Sequence, residues 1–292
     1  MVEVMVDYTT ILGIVFFLLA PFIGMLVIGL DRKITARMQN RIGPPVLQPL
    51  YDVVKLFGKE DRIVNKAQVI FAIAFFGMVM LATVFFCLRS DLLVVFFLLN
   101  AGAVFMVLGA YSTRSAFSAI GANRELVQML AYEPIFLLVI FGIGYTVKSF
   151  EITAIYEPLI LKLPLALVAM VIVLMIKMQK SPFDISTAHT EIISGTMVEY
   201  SGTYLGILKL THWYELFVIL GVLGLFVIVP GNFLLSIVAM VLLIAVVYLV
   251  VMIIDNITTR LTWDSLPKVA LPIGIGLIII NMIYVAVTAG GA

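Results

Sequence analysis

The sequence predicts an all-α, polytopic membrane protein of about eight transmembrane helices, on three observations. Its residues are 63% hydrophobic and only 12% charged, with a mean hydropathy of +1.19. That leaves too little polar surface to cover a soluble globule, so the bilayer has to be the solvent. Apolar runs of about 20 residues recur along the chain, the length an α-helix needs to cross roughly 30 Å of hydrocarbon. Finally, most of the Lys and Arg residues fall in the segments between those runs, on one predicted side. Residues 1–292 are expected to form a single transmembrane helix bundle.

The candidate spans, in order, are residues 9–30, 67–88, 92–111, 126–147, 159–178, 203–229, 233–254 and 268–288. The first is read as a retained helix, because MVEVMVDYTT carries two acids, no base and no small-residue cleavage pattern beyond the run. In the fifth, Lys162 and Pro164 interrupt the start. In the sixth, Lys209, His212 and Glu215 punctuate the first half. Sorting the 18 basic residues by loop places fifteen on the side of the 32–66 segment and leaves Arg89, Lys148 and Lys162 opposite. The positive-inside rule then puts the large loops in the cytoplasm and, with eight spans, both termini outside.

Three loops on that side are expected to be more than connectors. In the first, QPLYDVVKLFGKE repeats Leu50, Val53, Val54 and Phe57 at helical spacing opposite Asp52, Lys55 and Lys59, which predicts an amphipathic helix at the interface. The second, YSTRSAFSAIGANRE, is small and polar, and the third, QKSPFDISTAHTEIISGTMVEYSG, is long and polar.

Acids held in or beside apolar helices are costly and imply a partner, a hydrated cavity or proton carriage. Glu125 and Glu133 are eight residues apart, which is about 80° of rotation and about 12 Å of rise, so both can face one side of the fourth span. Pro134 follows and removes a backbone donor beside Glu133. Glu191 and Glu199 repeat the spacing across Gly195 in the third loop. Asp31, Asp184, Glu215 and His189 extend the set into a candidate proton relay, since burial and like charges move carboxyl groups toward neutral titration. Competing structural readings stand beside this one: pairing of the helix acids with Arg124 or Arg114, an Asp31–Arg32 ion pair, and ordinary solvation of the loop acids and His189. His212 carries less weight for the relay. The single cysteine, Cys87, reads as a small buried hydrophobe, and no nucleotide-binding glycine pattern or bis-histidine spacing is present.

The loops also carry a resemblance. DRKITARMQNRIGP followed by QPLYDVVKLFGKE, and SPFDISTAHTEIISGTMVEYSG later in the chain, resemble the first and the fifth-to-sixth loops of the H-type membrane subunit of respiratory complex I. Where quinone-using relatives carry glutamates, this chain has Thr187 and His189, and Asp31 stands where they usually show Glu. AHTEI and RELVQMLAYEP look more like the membrane anchors of membrane-bound nickel–iron hydrogenases and sulfane reductases. The resemblance implies a non-catalytic anchor and proton-relay subunit. It would couple a ferredoxin-oxidising hydrogenase or sulfur-reducing arm to antiporter-like, ion-pumping membrane subunits. Arg37, Arg41, Asp52 and Lys55 would then lie by the surface that docks the arm. No cofactor or metal is expected in this chain. The nickel–iron centre and iron–sulfur clusters would belong to the hydrophilic large and iron–sulfur partner subunits, and no nucleic acid is involved. Two alternatives are the quinone-site subunit of a true NADH-oxidising complex and a free-standing ion transporter using the same acids.

Overall fold

The computed structural model describes residues 2–290, with side chains for 10–188 and 191–288. The described residues are almost wholly helical: α1 Val2–Met38, α2 Gln48–Phe57, α3 Lys66–Cys87, α4 Leu92–Tyr111, α5 Ala116–Val147, α6 Pro164–Lys177, α7 His189–Ile192, α8 Gly202–Gly224, α9 Phe233–Ile257 and α10 Ser265–Gly290. Seven helices among them are long and apolar enough to cross a bilayer. The chain is a polytopic all-α membrane protein.

The predicted fifth span is the exception in length. Its helix, α6, has 14 residues, about 21 Å against roughly 30 Å of hydrocarbon. Pro164 sits in its first turn, and a 3₁₀ turn at Leu159–Leu161 takes up the residues before it. Pro has no N–H to donate to a preceding turn, so the helix starts there. Its orphan first-turn donors are met from another helix: Asn281 of α10, fully buried, accepts from the Leu165 and Ala166 amides at 2.7 and 3.0 Å and donates to the Lys162 carbonyl at 2.9 Å.

Two other expectations shift. α1 does not stop near residue 30 but continues through Asp31 to Met38, and α5 begins at Ala116, so most of the small, polar second loop is helix. Small residues there permit close approach. A Cβ on Gly121 would meet the Gly195 backbone at 2.5–2.6 Å, and Gly195 itself has φ +55° with the Ser186 carbonyl against its Cα. Just past the ends of α3 and α5 stand left-handed residues where glycine is usual, Arg89 and Lys148. These bases thus cap helices, and their charge favours the C-terminal end of the helix dipole.

Packing divides the chain into two compact units. Residues 1–89, 94–126 and 186–218 form one, and residues 90–93, 127–185 and 219–292 the other. In the first, α2 lies on α1 through Val53, which clusters with Met25 and Trp213, while Ile28, Leu50 and Leu210 pack around them. The amphipathic face differs from the expected one. Pro49, Val53 and Leu56 are buried, whereas Tyr51, Val54 and Phe57 are 55%, 61% and 46% exposed. α2 therefore has two apolar faces, one for the protein and one turned outward, as an interfacial helix requires. In the second unit, α10 packs along α6, and α9 on the 3₁₀ turn Leu225–Val227.

Candidate functional site

In the first unit, α5 presents Arg124 and Glu125 side by side. Arg124 bonds Glu191 of the third loop at 2.6 Å. Glu125 Oε2 is buried and has no hydrogen-bond partner among the described residues. Of the structural readings considered for Glu125, pairing with Arg124 is thus not the one realised. Asp31 is 8% exposed inside α1, and its neighbour Arg32 reaches Asp52 of α2 at 3.2 Å, with Gln48 donating to the same carboxylate at 2.9 Å. Glu199 is half-buried in the turn before α8, and Tyr200 beside it is buried, its hydroxyl donating to the Gln68 carbonyl at 3.4 Å. Burial pushes the Tyr200 phenol well above the ordinary tyrosine range, so it is a neutral donor. Glu215, 5% exposed in α8, sits 3.2 Å from His212 Nδ1. The backbone of His189 is in α7, but its side chain lies outside the described residues.

In the second unit, Glu133 is half-buried on α5 next to the fully enclosed Tyr132, and its Oε1 is buried without a hydrogen bond among the described residues. The nearby charge is Lys177 at the end of α6, whose ammonium lies 4.5 Å over the Tyr132 ring and exerts its field on the Glu133 carboxylate. The loop after α6 is clasped to the end of α9 and the residues beyond. Lys180 bonds Asp255 at 3.1 Å, the Ser181 amide donates to the same carboxylate at 2.8 Å, and Arg260 bonds Asp184 at 2.6 Å. Gln128 of α5 donates to the Phe183 carbonyl at 2.5 Å. Asp184, placed in the relay by sequence, is here one half of an ion pair.

Arg37, Arg41 and Lys55 are exposed, whereas Asp52 is occupied by Arg32 and Gln48. Among the described residues no three His, Cys, Asp or Glu side chains gather as a metal site would require. Sequence reading missed Asp255, Lys177 and Gln128. Asp255 carried a signal, an acid ending the apolar run VVMII, but its partner lies 75 residues away and no local spacing shows it.

The sequence model of the NADH dehydrogenase family matches residues 10–286. Formate hydrogenlyase subunit 4 of Escherichia coli is 29% identical over 289 residues, spanning 90% of this chain and 93% of that protein. The H-type subunit of the NADH-quinone oxidoreductase of Syntrophotalea carbinolica is 31% identical over 222 residues, spanning 65% and 67%. A chain in the structure of the membrane-bound sulfane sulfur reductase, an archaeal respiratory membrane complex, superposes with a TM-score of 0.85 at 29% identity, over 95% of this chain and 99% of that one.

Proposed function

We propose, from the premise that this chain belongs to the NADH dehydrogenase family as an H-type membrane subunit, that it anchors a peripheral redox arm and relays protons for the complex. The arm would oxidise ferredoxin and reduce protons or a sulfur species, its nickel–iron-type and iron–sulfur subunits holding the cofactors. Antiporter-like membrane subunits would do the pumping.

The observation that carries the relay is α5. Glu125 and Glu133 lie eight residues apart on one membrane-length helix, and each buries a carboxylate oxygen that no hydrogen bond satisfies. An ionised carboxylate so placed is expensive in a membrane helix, and that cost is the physical ground for proposing both as proton carriers. Glu191, Glu199, Asp31, Glu215 and His189 are the other members proposed from the sequence, Asp184 being set aside because Arg260 holds it, with Arg37, Arg41, Asp52 and Lys55 at the docking surface. The large loops would face the cytoplasm, where the arm docks. The relatives named for formate hydrogenlyase and sulfane sulfur reductase support a hydrogenase-type or sulfur-reducing assembly.

Purification through a tag on this chain tests the anchor. Hydrophilic iron–sulfur subunits should co-purify, and the chain alone in liposomes should move no ions. A chain that transports ions by itself would instead be a free-standing transporter. A second reading, a quinone-site subunit, is favoured by the match to the H-type subunit of NADH-quinone oxidoreductase. Ferredoxin-driven turnover without quinone in the purified complex would exclude it.

A further inference from the structure

Helix α8 holds a titratable pair near the middle of a membrane-length span. His212 and Glu215 are three residues apart, with Nδ1 and Oε2 at 3.2 Å, within reach for direct proton transfer. The other imidazole nitrogen, Nε2, is buried and has no hydrogen-bond partner among the described residues. Phe75 of α3 meets the ring edge-on at 5.8 Å between centroids, so one neighbour of the imidazole is apolar. The next residues serve packing: Trp213 joins the Met25–Val53 cluster, and Tyr214 lies against Phe17 and Phe76.

A histidine retained only to bond Glu215 would need one nitrogen. The second is left buried and without a hydrogen bond among the described residues, at a desolvation cost. An imidazole does what an amide does not: it accepts a proton on one nitrogen while releasing one from the other.

We propose that His212 and Glu215 are a proton-exchange pair. A proton binds Nε2, and the proton on Nδ1 passes to Glu215 Oε2. The carboxylate becomes a neutral acid and the imidazole remains neutral as the Nε2–H tautomer. No electron moves, one proton has been gained, and the reverse sequence returns it. The proposal rests on the relay reading above and adds to it a storage point with a defined entry atom.

The test uses the intact complex reconstituted in liposomes, reading ions moved per electron pair and, in parallel, the protonated-carboxyl region of the infrared difference spectrum. His212→Asn keeps a donor toward Glu215 but has no second titratable nitrogen. It and Glu215→Gln should each lower the ion-to-electron ratio. A carboxyl band abolished by Glu215→Gln should appear in the wild-type spectrum and change in His212→Asn. An unchanged ratio in His212→Asn, with loss in Glu133→Gln, overturns the pair and leaves the relay standing. Unchanged ratios in all three variants overturn the relay as well. Should His212→Asn fail to assemble, the infrared comparison of wild type with Glu215→Gln decides, and the lack of a Glu215 carboxyl band refutes the pair.

Discussion

The acids that clasp the loop after α6 to α9 and the acids of α5 are the same functional groups put to opposite uses. Asp184 and Asp255 each face a base, Arg260 at 2.6 Å and Lys180 at 3.1 Å, and Asp255 also takes the Ser181 amide. Glu125 and Glu133 keep a buried oxygen with no hydrogen bond. A carboxylate held by a nearby cation and an amide stays charged and fixes the backbone. Neither acid of α5 has a hydrogen bond to that buried oxygen among the described residues, although Lys177 stands near Glu133, and a charge so placed in a membrane helix is costly. Acidic residues in a membrane chain therefore have to be sorted by their partners before any is assigned to proton transfer.

The largest expected effect breaks the clasp. Asp255→Ala strips Lys180 and the Ser181 amide of their acceptor at a partly buried site and should cost about 3 kcal/mol, seen as a lower melting temperature and poor assembly. Asp255→Asn keeps an acceptor for the amide and should recover part of it. A smaller effect is expected at Arg124→Ala. Its partner Glu191 is half exposed, with 50% of its side chain accessible, so thermal unfolding should register a loss of about 1 kcal/mol or less.

The smallest lies at Glu157, fully exposed and bonded to Lys162 at 2.5 Å. The Lys162 hydrogen bond and charge hold this carboxyl below the usual glutamate range. Its contribution is therefore present above the unfolded value, near pH 4.5, and fades as pH falls through the lower folded one. Because water and salt screen the pair, Glu157→Gln should leave the melting temperature unchanged within error at neutral pH.

Much of the fold was legible because hydropathy is local: seven of the eight predicted runs are helices of crossing length, and the 92–111 span coincides with α4. α6 came out short for a reason present in the sequence, Pro164, but its capping by Asn281 joins residues more than 110 positions apart. The outward face of α2 was misplaced because Tyr51, Val54 and Phe57 are as apolar as the residues that bury. Only tertiary packing on Met25 and Trp213 chooses between the two faces. Glu125 and Glu133 were found because an acid in an apolar run is visible by itself. That Arg124 turns to Glu191, and that Lys177 stands over Tyr132, depends on where other segments return.

The most direct measurement sets Glu133→Gln beside Asp255→Asn in the reconstituted complex, recording melting temperature and ions moved per electron pair for each. Glu133→Gln should keep the stability and lose most of the ion movement, while Asp255→Asn should lose stability and keep the ratio in whatever assembles. Full ion movement in a well-assembled Glu133→Gln complex would contradict it.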